Sequence, residues 1–477
     1  MASNCVVTDT RCDLIRLERT NMVTKMEDRV KVDLVAMSRI VLDSISSCDK
    51  DSLASSPEMI DRLAVCFNQG ALVQYQYGEI ERAETLCHAA IEVFAWLSST
   101  PGNRVGCLAK MVTPYINLAR IYGQKGEVSE ALSIFEQIRQ FSLQQQDLSI
   151  LGWRLDSADA PEINATEKNL QKVMLSCGVV ESARVLQVNE DYEALLSLTE
   201  TSLEVPEYQD TFFKQYLLEV KSRALLALGK YENAMAALSQ CCQQMPLNSV
   251  DRIVIHLLLT QLYREWGRDD LAAETLDKVE RHLIAVEQHS RKLPVLRQVA
   301  YRLALERHLL GDHSRAVEPA EKAFQLCREW NDQVGSMKTA ILLLRISTAI
   351  TAGADSLSMG RHWYDELLQL ASTSFFRLER ASAYWELGVS FDVLKLNEET
   401  SQGFACWFLQ NSYDLYRSVP LLDSRRSCEA VKRSLDCRLR APGRERMPAH
   451  GNLEIHHRSI DSVFDKLMEY VPKAACQ

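Results

Sequence analysis

Few residues in this chain are spaced for chemistry. His308 and His313 flank Gly311 closely enough to meet a metal ion, and we read them as a surface pair. His456 and His457 are adjacent, so on a helix their side chains point about 100° apart and cannot share an ion. The fourteen cysteines are scattered and form no Cys-x-x-Cys pair. Cys66, Cys87 and Cys241 fall on apolar helix faces, where a free thiol acts as a small hydrophobe. Cys241-Cys242 is read as core rather than as a redox couple. Carboxylates are abundant, yet no two form a distinctive acid and base pair. Phosphate-binding glycine loops, the nucleophile elbow and the His-Glu-x-x-His zinc motif are all missing. No catalytic residue, cofactor or metal is therefore expected, and the chain reads as a non-enzyme.

The composition points the same way. The chain has 477 residues, 54 basic against 64 acidic, for a net charge of −10. That balance opposes general nucleic-acid binding. Apolar residues make up 47% and charged residues 25%, a globular mix. Gly (18) and Pro (12) are scarce, which disfavours a turn-rich β protein and fits long helices with short connections. No stretch is long and apolar enough for a membrane span. The N-terminal residues include Asp9, Arg11 and Asp13 and lack an apolar core, so no secretory signal is expected. A cytoplasmic protein is the expectation, with the nucleus as the alternative.

The elements that must carry any site announce themselves as a repeat. Gly78-Glu-Ile-Glu-Arg-Ala83 has the same spacing as Gly126 to Ala131, Gly229 to Ala234, Gly267 to Ala272 and Gly311 to Ala316. Asn189 to Ala194 repeats it with Asn for Gly. Each Gly follows an apolar helical stretch and suits the positive φ that ends a helix. Acidic residues often follow, where carboxylates favour a helix N-terminus. The Ala lets two helices approach, and Cys87, Phe135, Leu198, Leu238, Leu276 and Ala320 recur four residues later. The spacing predicts antiparallel helix hairpins.

This pattern resembles the tetratricopeptide repeat (TPR) family. Leu118-Ala119, Tyr122, Gly126, Ala131 and Phe135 carry the clearest copy; Gly229, Tyr231, Ala234, Leu238 and Pro246 carry another. The resemblance implies an all-α, right-handed superhelical solenoid of TPR-like hairpins, with a concave groove that binds a protein or peptide. Marker separations of 48, 63, 40, 38 and 44 residues exceed the family's 34, so helices are longer or insertions intervene. Leu151 to Glu167 is the expected insertion. Two degenerate pairs are expected, one over about Met337 to Leu370 and one from Tyr384 to Tyr416.

In the family the first helix of each pair lines the groove. This places Asn68, Tyr75, Arg120, Arg223, Gln261, Arg264, Tyr301 and His308 there. Arg120, Arg223 and Arg264 can form a basic stripe for an acidic peptide, or each can pair with Glu on a neighbouring repeat. Of the family's carboxylate clamp only Asn117 fits. The expected function is a scaffold or adaptor; the alternative is a ligand- or peptide-responsive regulator, or an accessory subunit of an enzyme complex.

The division expected is a disordered segment 1–19, a capping helix and loop 20–59, and an array of about six clear and two degenerate repeats over 60–436. A flexible basic linker 437–452 and an amphipathic helix 453–477 follow. Ile460, Val463, Phe464, Leu467, Met468 and Val471 give that helix one apolar stripe, suited to capping the array, docking on a partner or self-association.

Overall fold

A computed structural model describes residues 38–39, 57–98, 104–144, 178–205, 211–243, 250–289, 295–350, 354–394 and 401–439. The expected insertion, nearly all of the capping segment and the C-terminal amphipathic helix lie outside these residues. The described chain is α-helical, with no strand among the described residues. It divides into two compact units at Val295/Leu296.

Among the described residues the first unit contains five helix pairs: α1 (Pro57–Gln76) with α2 (Ile80–Ser98), α3 (Arg104–Lys125) with α4 (Val128–Gln144), and α5 (178–188) with α6 (Tyr192–Glu204). Next come α7 (Thr211–Ala227) with α8 (Tyr231–Gln243), and α9 (Val250–Glu265) with α10 (Asp269–His289). The second unit is built from α11 (Val295–Leu309) with α12 (His313–Glu329), α13 (Gln333–Ala349) with α14 (Ala354–Thr373), and α15 (Arg377–Val393) with α16 (Ser401–Arg417). A last helix, α17 (Leu422–Leu439), lies against α16. The pairs α13–α14 and α15–α16 fall on the two stretches read from the sequence as degenerate copies.

Five of the turns inside the pairs share one construction. Gly78, Gly126, Gly229, Gly267 and Gly311 all have positive φ, between 70° and 90°. The Gly N–H donates to the carbonyl three residues back, and the next N–H donates to the carbonyl five back. At α11–α12 these are Gly311 to His308 and Asp312 to Arg307, each 3.0 Å. This is the Schellman closure, which satisfies carbonyls the helix leaves open. The conserved-spacing alanines Ala83, Ala131, Ala234, Ala272 and Ala316 are fully buried.

The third copy, at Asn189, is shifted by one residue from the sequence expectation. The positive φ belongs to Glu190 (61°), not Asn189. Leu195 occupies the buried Ala position and Thr199, not Leu198, the buried position after it. Asn189 serves instead as a tie, its Nδ2 donating to Val185 O at 2.8 Å and to Gly123 O at 3.0 Å. Burying Leu195 rather than Ala194 sets the register, because burial of a leucine outweighs a residue's mild reluctance to adopt αL. A seventh closure, at Asn331 (φ 52°), joins one pair to the next between α12 and α13. Its following Asp332 caps α13, with Oδ1 accepting from Gly335 N–H at 2.9 Å.

Cores run from pair to pair. Leu218, Leu225 and Leu226 of α7, Leu238 of α8 and Ile255, Leu258 and Leu262 of α9 make one cluster. In the second unit a larger one runs from Ala304 on α11 to Phe408 on α16. Tyr384 packs against Trp407 and Phe408 at ring-centroid distances of 6.0 and 5.8 Å. The side of α17 away from α16 is charged, with Arg425, Arg426, Glu429, Lys432 and Arg433 exposed.

Candidate functional site

First helices of successive pairs are joined by a ladder of polar side chains. Lys110 of α3 donates to Asp61 of α1 at 2.8 Å. Two turns along the same helices, Asn117 Nδ2 donates to Asn68 Oδ1 at 2.8 Å, and both amides are buried. Arg120, one turn beyond Asn117, sends Nε to Glu181 Oε2 of α5 at 2.7 Å and Nη2 to Oε1. Arg184 completes the ladder, with Nη1 2.8 Å from Glu181 Oε1. The Glu181 side chain is 3% exposed, whereas Arg120 and Arg184 stay 28% and 29% exposed. A carboxylate this deep is tolerated because two guanidiniums and their hydrogen bonds replace its water.

Gly123 brings α3 and α5 together here. A Cβ on it would sit 2.5 Å from Val185 Cγ2, so only a glycine permits this spacing.

The second unit repeats the device. Arg345 of α13 donates through Nε to Glu386 Oε2 of α15 at 2.7 Å, and Glu386 is 9% exposed in its side chain. Burial raises the Tyr301 hydroxyl's pKa, with Arg345 and Arg302 pulling the other way. Burial also lowers the pKa of His308, helped by the charges of His313 and Arg345.

The residues expected to line a groove thus fall into distinct settings. Asn68 and Arg120 join one network. Tyr75 is half-buried on α1. Arg223 turns back to Glu219 of its own helix at 2.7 Å. Gln261 donates to Glu265 at 2.8 Å, and Arg264 lies 3.9 Å from the same carboxylate. Tyr301 packs on the second unit's core. His308 meets His313, with Nδ1 atoms 3.1 Å apart. Arg120 takes the second of its two expected roles, pairing with Glu on the next repeat, and Arg223 and Arg264 also have carboxylates beside them. No bare stripe of three arginines runs along this face.

Sequence reasoning missed Glu181, Arg184, Arg345 and Glu386. A signal existed for two of them. Glu181 interrupts the apolar run Gly178-Val-Val-Glu-Ser-Ala-Arg-Val-Leu, and Arg345 interrupts Ile341 to Ile346. A charge inside an apolar helix needs a partner from another element.

A second cluster lies between α9 and α10. His256 and His282 stack at 5.6 Å, and the Nδ1 atom of each is buried without a hydrogen bond. Burial, His282, Arg252 and Lys278 push the His256 imidazole down to about 4; burial, Arg252 and Arg281 lower His282 as well. A folded-state pKa below the unfolded value means that the unfolded chain binds more protons between the two. Stability is full above about pH 6.5 and falls as pH drops toward the folded value of about 4. We expect urea midpoints of the wild type to fall across that window, and His256→Gln to flatten the fall. An unchanged slope in the variant would assign the acid sensitivity to other groups.

Among the described residues no helix is long and apolar enough to cross a membrane. No group of three or more His, Cys, Asp or Glu among them is placed to hold a metal.

Residues 217–244, the second half of α7 and all of α8, match the model of the tetratricopeptide repeat family. Over that stretch the chain is similar to the family, and the described residues as a whole are helical hairpins. No curated protein matches its sequence. Among solved structures, a Rap protein complexed with competence and sporulation factor is 12% identical, covering 79% of this chain and 99% of that one, with a TM-score of 0.40. Yeast Tom70 is 13% identical, covering 84% and 99%, with a TM-score of 0.32. A STAND protein with a tetratricopeptide repeat sensor from Pyrococcus horikoshii is 13% identical, covering 82% and 66%, with a TM-score of 0.39.

Proposed function

We propose that this chain is a non-catalytic interaction protein whose first-helix faces hold a protein or peptide. The observation that carries this reading is the ladder from Asn68 to Arg184. It places buried amides and half-exposed guanidiniums side by side across three first helices, a row of donors and acceptors that apolar packing would not require. A bound chain can take hydrogen bonds from the exposed edges of Arg120 and Arg184, and apolar contact from Tyr75.

The test must spare the network. Arg120→Glu would set two carboxylates against each other in a buried site and would read as unfolding. Photo-crosslinking residues placed singly at Tyr75 and Gln261, with Glu92 on α2 and Lys278 on α10 as second-helix controls, avoid that. Crosslinks to one and the same partner from the first-helix positions alone are the expected result. Equal crosslinking from the controls would move binding off this face.

A further inference from the structure

The α11–α12 turn fixes two imidazoles against each other. His308 sits in the last turn of α11 and His313 is the first residue of α12. Gly311 at φ 81° and the two closure bonds to His308 O and Arg307 O set the path between them. Asp312 adds a cap, its Oδ1 accepting from Arg315 N–H at 3.4 Å. The outcome is a His308 Nδ1 to His313 Nδ1 separation of 3.1 Å, with ring centroids 4.8 Å apart and planes tilted by 47°.

In the free chain one Nδ1 carries a proton and donates it to the other. The same separation also suits a shared ion. Two imidazole nitrogens at about 2.0–2.1 Å from a tetrahedral ion lie roughly 3.3 Å from each other. The geometry points to a two-imidazole chelate at this turn for a divalent transition ion of the zinc, nickel or copper kind, with His308 and His313 as its protein ligands and water in the remaining positions. Imidazole nitrogens suit these ions, while magnesium and calcium need oxygen donors that the pair does not offer.

Binding requires both Nδ1 lone pairs to face the ion. The donor ring therefore shifts its proton from Nδ1 to its own Nε2 through solvent, and the protein loses no net charge. The charged groups around the pair are mostly engaged with one another. Arg345 is held by Glu386, and Arg307 by Asp312 Oδ2 at 3.3 Å. Arg345 opposes an incoming cation and weakens the chelate without abolishing it.

Equilibrium dialysis of the full chain against nickel chloride alone, and then zinc chloride alone, tests the site. The scattered thiols bind equally in all variants, so the difference between variants is what counts. His313→Ala, at a half-exposed helix start, should lose one saturable equivalent with an unchanged circular dichroism spectrum. His308→Gln should lose the same equivalent, and the His256→Gln/His282→Gln variant should keep it. Nickel should also raise the thermal midpoint of the wild type and leave that of His313→Ala unmoved, since an ion that binds only the folded chain stabilises it. Equal stoichiometry in wild type and His313→Ala, or loss of the same equivalent on changing His256 and His282, overturns the assignment.

Discussion

Glu181→Ala should unfold the first unit at markedly lower denaturant than the wild type. The change removes the one carboxylate that Arg120 and Arg184 share and leaves both guanidiniums at a poorly hydrated site. Removing one partner of a buried ion pair costs about 3–5 kcal/mol, and the partial exposure of the arginines argues for the lower end. The loss propagates, because α3 and α5 are held together there and each pair in such an array relies on its neighbours for burial. Glu386→Ala is the internal comparison. Its partner Arg345 is 49% exposed, so water can take over the freed guanidinium and the cost should be clearly smaller. Urea unfolding of both variants decides the matter. Equal losses would mean that the extra burial at Glu181 contributes nothing.

Ala234→Trp should be as damaging. Ala234 is fully buried among Leu218, Leu225, Leu238 and Leu262. An indole there has no space, and overpacking costs about 1–3 kcal/mol even for additions of a few methylenes. Ala131→Trp should behave alike, since Ala131 is also fully buried. The informative partner is Ala194→Trp. By sequence spacing it is the same position in the third copy, but there Leu195 is the buried residue and Ala194 is half-exposed. Its thermal midpoint should stay close to that of the wild type. A collapse of Ala194→Trp comparable with Ala234→Trp would restore the unshifted register.

These two predictions mark where the sequence was legible. The recurring Gly and Ala report local events. A positive φ after an apolar helix and a methyl-sized contact five residues on are needed by each hairpin whatever surrounds it. The turns of five of the six copies could therefore be placed from spacing alone, together with the all-α class. Asn189 misled because Asn also tolerates αL. Nothing local distinguishes that role from the tie it makes to Gly123 O, which belongs to a different helix pair. Asn331 escaped for the opposite reason, since Trp330-Asn-Asp-Gln-Val-Gly-Ser336 lacks both the Gly and the Ala of the pattern.

The candidate site divides along the same line. Helical spacing put Asn68, Asn117 and Arg120 on first helices, because side-chain direction follows from position within one helix. Which carboxylate Arg120 meets was beyond its reach. Glu181 lies 61 residues away, across a segment whose length the repeat period does not fix, and Gly123 alone allows α5 close enough to deliver it. The sequence left Arg120, Arg223 and Arg264 open to two roles, a stripe for ligand or pairing with Glu, and in the fold each lies beside a carboxylate, because a half-buried cation seeks the nearest anion and tertiary packing decides which that is. His308 and His313 show the favourable case. Their spacing around Gly311 was visible at once, yet only the closed turn sets their nitrogens 3.1 Å apart. Sequence determines contacts made within a turn or a helix; contacts between helix pairs depend on how closely each pair packs on the next, and that is settled by packing alone.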